Sequence, residues 1–100
     1  MKKTIATLAL CSLGLNAAQI NPGAMMCRSY SDMQEIASYA NANDISSAAN
    51  LFYKLEAQGR CAQVAYRMNP DNLGRKDLSG GVTQLSVGGV TTYVLTQEIH

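Results

Sequence analysis

From Ser31 onward the apolar positions fall three and four residues apart. Met33, Ile36, Ala37 and Ala40 recur at the spacing that lines one face of an α-helix. Ser31 followed by Gln34 has the form of a capping box, and Asp32 and Glu35 suit the positive end of a helix dipole, so the helix is expected to start at Ser31 and end near Ala42. The polar run Asn41-Ala42-Asn43-Asp44 predicts a short turn, with Asn43 or Asp44 capping a second helix whose apolar face carries Ile45, Ala48, Ala49, Phe52 and Leu55. Gly59 suits the left-handed residue that closes it. So short a connection makes the two helices antiparallel, a helical hairpin over 31–59.

After Cys61 the period drops to two. Ala62, Val64, Tyr66 and Met68 alternate with Gln63, Ala65 and Arg67, which predicts a strand over 61–68. The dense turn signal from Asn69 to Gly74 and the polar residues through Gly81 read as an exposed loop. Residues 82–87 and 90–97 are rich in β-branched side chains and are separated by Gly88-Gly89, the spacing of a two-residue hairpin turn. Pairing Val87 with Val90, Leu85 with Thr92 and Thr83 with Val94 puts these six on one face, the better core candidate, and leaves Val82, Gln84, Tyr93 and Leu95 on the other. Residues 19–28 carry Asn-Pro-Gly and no periodicity, so they read as an extended arm pinned at Cys27. The expected fold is α+β: a helical hairpin stapled by a disulfide, followed by a small three-stranded antiparallel sheet.

The start of the chain sets the chemistry of the rest. Lys2 and Lys3, the apolar run from Ile5 to Leu15 and the small-residue exit Asn16-Ala17-Ala18 have the order of a bacterial signal peptide, here 1–18. A single mature domain over 19–100, periplasmic or secreted, is the expectation. The apolar run is too short for a spanning helix, so a soluble form without stable membrane insertion is expected. One alternative is lipidation of Cys11, since Leu8-Ala9-Leu10-Cys11 is similar to the lipoprotein cleavage motif, although Leu10 is bulkier than the residue that motif wants. Once the leader is removed, Cys27 and Cys61 remain as an even pair in an oxidising compartment, and a disulfide between them is predicted. The helical reading independently brings the residues flanking the hairpin together, and these two cysteines occupy those positions.

Charge and chemistry narrow the functional classes. Beyond the leader stand six basic residues (Arg28, Lys54, Arg60, Arg67, Arg75, Lys76) and seven acidic ones, with no basic stripe, which argues against a nucleic-acid or anionic-membrane partner. The only histidine is His100, no Ser or Thr sits in a nucleophile context, and the acids are dispersed, so the chain reads as non-enzymatic with no cofactor.

The order of Cys27, an amphipathic hairpin, Gly59-Arg60-Cys61, then short strands with Thr92-Tyr93-Val94 in the last, resembles a group of small exported bacterial proteins. In these a disulfide-closed helical hairpin precedes an SH3-like strand set. The resemblance implies a binding module and brings no catalytic residues. Such domains typically have more strands than the three read above.

Tyrosine combines apolar area with a polar handle. Of Tyr30, Tyr39, Tyr53, Tyr66 and Tyr93, the reading selects Tyr39 and Tyr53, which lie off the main apolar stripes, and Tyr93, on the weaker sheet face, as a binding surface flanked by Arg60 and Arg67. The leading expectation is a binding protein that occupies the surface of an envelope protein, such as an inhibitor or immunity-type protein. A small-ligand or cell-wall glycan binder is the alternative. So is a soft-metal (Cu) carrier, because Met25-Met26-Cys27, Met33, Met68 and His100 offer thioether, thiolate and imidazole donors, although the spacing matches no known ligand pattern.

Overall fold

The computed structural model describes residues 17–100. Apart from Ala17 and Ala18, the signal peptide read over 1–18 lies outside the described residues, as does Cys11. In chain order the elements are β1 (Met25–Cys27), α1 (Tyr30–Asn41), α2 (Ile45–Ala57), β2 (Cys61–Gln63), a 3-10 turn (Pro70–Asn72), β3 (Lys76–Leu78), β4 (Val82–Val87), β5 (Val90–Leu95) and a second 3-10 turn (Thr96–Glu98). The fold is α+β, with a five-stranded sheet in the order β2-β1-β5-β4-β3 whose neighbours all pair antiparallel.

The helical hairpin forms with shifted caps. Ser29, in extended conformation, caps α1 in place of Ser31, so the helix starts one residue earlier, at Tyr30. Packing selects that start: the Tyr30 ring lies edge-on to Tyr93, with centroids 5.9 Å apart, and its hydroxyl donates to the Ser79 carbonyl at 3.0 Å. Met33, Ile36, Ala37 and Ala40 are buried as the spacing predicts. Asn43 adopts φ 62 in the turn, and the Asp44 carboxylate accepts from Ser47 N at 3.2 Å to start α2. Ala48, Phe52 and Leu55 are buried and Ala49 is half-buried, whereas Ile45, expected on the apolar face, is exposed in the first turn. Gly59 takes φ 75 beyond the end of α2, and Arg60 N donates to Leu55 O at 2.9 Å.

The sheet departs from the three-stranded expectation in two places. The arm read as merely extended supplies β1, and the loop read over 69–81 supplies β3, which pairs Lys76 with Gln84, Asp77 with Thr83 and Leu78 with Val82. Each is three residues long, too short to show a period. The strand expected over 61–68 is regular only as far as Gln63. Its ladder against the arm resumes in single contacts: Val64 N donates to Ala24 O at 2.9 Å and Met68 pairs with Ile20. The interruption has its cause on the arm, where Pro22 has no N–H to offer and Gly23 turns the chain at φ 93. The last strand ends at Leu95 instead of 97, where Thr96 N donates to Gly81 O and the chain enters its 3-10 turn.

The β4–β5 hairpin has the expected register, with Val87 opposite Val90, Leu85 opposite Thr92 and Thr83 opposite Val94. Both of its faces are used. Leu85 and Val94 join Ile20, Ala24 and Val64 in a core closed by the arm, and on the opposite face Val82, Leu95 and Tyr93 pack with Cys27, Met33, Ile36, Phe52 and Leu55 under the helices. The Cys27–Cys61 disulfide is present. It joins two directly paired strand residues, so the staple crosses from β1 to β2 at the base of the hairpin and does not tie the helices themselves.

Candidate functional site

Cross-strand partners share a face of a sheet, and successive residues alternate between faces. Ala62 pairs with Met26, and Met26 with Val94, so these three lie on the face of the arm-side core; Thr92 and Val90 follow at intervals of two along β5, with Val87 across on β4. At the end of this face, toward the Gly88-Gly89 turn, a cleft of about 280 Å³ opens, walled by Met26, Ala62, Val87, Val90 and Thr92 and bounded by the Cys27–Cys61 strand pair. Its size is just under the lower end of small-ligand pockets, which start at about 300 Å³. None of the residues that line it is aromatic.

Two arginines stand at the rim. Arg60 Nε and Nη2 grip both oxygens of Asp32, at 3.1 and 2.5 Å, and Arg60 Nη1 donates to Gln58 Oε1. Asp32 sits in the first turn of α1, where the helix N-terminus favours a carboxylate, and its side chain is only 7% exposed. The charge of Arg60 is therefore answered locally. Arg28 differs: its Nη2 donates to the Gly59 carbonyl, and among the described residues it forms no ion pair. The rim thus carries one net positive charge over an apolar cleft.

Thr92 adds a polar defect. It is 4% exposed, and its Oγ1 is buried with no hydrogen-bond partner among the described residues. A buried unpaired hydroxyl costs about 1–3 kcal/mol. The neighbouring backbone edge is open as well. β1 pairs with β5 only at Met26–Val94 and Cys27–Tyr93, and Val90 and Thr92 turn their backbone groups to Val87 and Leu85, so among the described residues the outward N–H and C=O of Thr91 have no strand partner.

The residues selected from sequence do not come together here. Arg60 lines the cleft. Tyr39 and Tyr53 are exposed on α1 and α2, Tyr53 lying edge-on to Phe52 at 5.8 Å. Tyr93 is half-buried against Tyr30 beneath the helices, on the sheet face opposite the cleft. Arg67 lies with Met68 and Asn69 beside Ala17 and Ala18, in a separate depression. The methionines are dispersed in the same way: Met33 is in the helical core, Met68 packs on the arm-side core, and Cys27, being disulfide-bonded, offers no thiolate. Sequence reasoning named Met26 only as a metal donor and did not select Arg28, Val90 or Thr92 as site residues. The available signal was register, since Val90 and Thr92 continue the face of Val94, and Arg28 stands beside Cys27.

A second polar cluster braces the far edge of the sheet. Asp77 accepts from Arg75 Nε at 3.0 Å and from Thr83 Oγ1 at 2.9 Å, and Thr83 also bonds Thr96 Oγ1 at 2.8 Å. Thr83 has one hydroxyl proton, so Thr96 donates to Thr83 and Thr83 to Asp77. The Arg75 hydrogen bond, then that of Thr83, holds the Asp77 carboxyl below the usual carboxylate range. Arg75 is raised in turn, chiefly by its hydrogen bond to Asp77. These charges mark β3 as a protected edge, the usual device against unwanted strand pairing.

No family model, curated protein or solved structure matches the chain.

Proposed function

We propose that this chain is a small exported, non-enzymatic binding protein of the bacterial envelope, periplasmic or secreted, which acts by occupying the surface of an envelope protein as an inhibitor or immunity-type protein does. The observation that carries the reading is the apolar cleft beside the Cys27–Cys61 bridge, with the unanswered charge of Arg28 at its rim. A covalently held strand pair keeps the walls of such a site in place before a partner arrives, which lowers the ordering cost of association. Export is supported by the leader pattern of 1–18 and by the disulfide, and no described helix is long and apolar enough to cross a membrane. The order of bridge, hairpin and short strands supports kinship with the exported proteins that place a disulfide-closed hairpin before an SH3-like strand set.

Of the alternatives, a glycan site finds little support in a cleft lined without aromatic rings, and a Cu carrier finds little in a bridged Cys27 and dispersed methionines. The test is crosslinking in envelope extract with the wild type and a Val90→Arg variant. Val90 is 48% exposed, so the variant is expected to keep its melting temperature while losing a specific crosslinked partner. A partner retained equally by both proteins would overturn the assignment to this cleft.

A further inference from the structure

The β1–β2 ladder pairs Met26 with Ala62 and Cys27 with Cys61, and its next rung is set by Arg28 N donating to Arg60 O at 3.3 Å. Two arginines therefore stand directly opposite one another on the sheet face that carries Met26 and Ala62, and both line the cleft. Like charges so placed destabilise a sheet. Asp32 answers only one of them: it holds Arg60 through two hydrogen bonds, whereas Arg28 has no carboxylate partner among the described residues. The Arg28 head is nevertheless held in place. Its Nη2 donates to the Gly59 carbonyl at 2.5 Å, and Gly59 also lines the cleft. A guanidinium has five N–H donors in a fixed fork, so the bond to Gly59 positions the group and leaves donors for an anion.

Hydrocarbon faces this charge. Met26, Ala62, Val87 and Val90 wall the same cleft, and none of its lining residues is acidic. Small-ligand sites combine such apolar walls with a few placed polar groups. Here the two halves select different parts of one ligand. An inorganic anion would leave Met26 and the valines in water, and a neutral hydrocarbon would leave Arg28 against Arg60 without a counter-charge. We propose that the cleft binds a small amphiphilic anion, a carboxylate on a short hydrocarbon chain, with the chain between Met26, Ala62, Val87 and Val90 and the carboxylate on Arg28. The ligand then supplies to Arg28 the counter-charge that Asp32 supplies to Arg60. This site goes beyond the partner protein and needs only the cleft.

The test titrates octanoate, octanol, acetate and octylammonium into the isotope-labelled mature chain, read by amide-proton shifts. Octanoate is expected to bind and to shift Met26, Arg28, Ala62, Val87 and Val90. Octanol carries only the chain and acetate only the head, so each should bind about tenfold more weakly or worse, and octylammonium more weakly than octanol. Arg28 is exposed, so its variants should keep their melting temperature. Arg28→Gln should bring octanoate down to the affinity of octanol, and Arg28→Lys should restore part of the difference. Octanoate and octanol binding alike, acetate matching octanoate, or no shift at the cleft overturns the proposal. So does octanoate binding undiminished in Arg28→Gln. If octanoate fails while the crosslinked partner is lost in Val90→Arg, this proposal falls and the partner reading stands. If octanoate binds as expected and at saturation leaves the crosslink undiminished, the partner is removed from the cleft and the small-anion site stands.

Discussion

Cys27 and Cys61 are direct cross-strand partners, their Cα atoms 4.0 Å apart, and they stand at the two ends of the helical hairpin, one just before α1 and one just after α2. The bridge spans a sequence separation of 34 residues. In the chain-entropy view, closing a loop of that length lowers the entropy of the unfolded chain by an amount equivalent to about 3–4 kcal/mol. The Cys27→Ser, Cys61→Ser double variant is expected to lose about that much stability in urea denaturation, a large share for a domain of this size. An unchanged denaturation midpoint would remove the bridge from the account of stability.

Asp32 and Arg60 make an asymmetric pair, with the carboxylate buried and the guanidinium half in water. Removing Arg60 strands a desolvated charge, whereas removing Asp32 frees a side chain that water already solvates. Arg60→Ala is expected to cost about 3 kcal/mol and Asp32→Ala less, with positive coupling in the double-mutant cycle. Equal losses, adding without coupling, would contradict the pairing.

Asp77 gives the fold a dependence on acid pH. Its carboxyl is held below the ordinary range in the folded protein, so its contribution is complete above the unfolded-state value and is lost as the pH falls through the lowered folded value. Being largely exposed, it contributes little. In a carboxyl NMR titration Thr83→Val should move Asp77 back toward the ordinary range, and Asp77→Asn should flatten this part of the acid limb of stability. No movement in Thr83→Val would show that the hydroxyl does not reach the carboxylate.

Gly88 and Gly89 both take positive φ, 60 and 81, with open space where a Cβ would stand. The cost of a side chain there is conformational, about 1–2 kcal/mol for an alanine in the left-handed region. Gly88→Ala should lower stability by that amount, while Gly88→Asn, a residue that this turn type accepts, should cost less. The two denaturation midpoints decide it.

The parts of the fold that were legible in the sequence are those made by contacts near in the chain. The hairpin of Val82–Val87 and Val90–Leu95 was legible down to its register, because a two-glycine turn leaves the flanking residues one way to pair. The helix at Met33, Ile36, Ala37 and Ala40 was legible because a buried stripe repeats within one element. The Cys27–Cys61 bridge followed from setting Cys11 aside with the leader and from the hairpin between the remaining two cysteines. Local chemistry pointed to Ser31 as the cap of α1, whereas Ser29 caps it and Tyr30, now the first helical residue, docks on Tyr93.

The sequence by itself determined α+β, the helical hairpin and the β4–β5 register, which rest on spacing within about ten residues, and the bridge, which rests on the two cysteines that flank that hairpin. Only tertiary structure decided that Met25–Cys27 and Lys76–Leu78 are strands, that both faces of the hairpin are buried, and that Arg28, Val90 and Thr92 surround one cleft. The physical reason is the same in each case. A three-residue strand has no periodicity of its own and exists only because a distant segment accepts its hydrogen bonds, and a cleft exists only where such pairings stop.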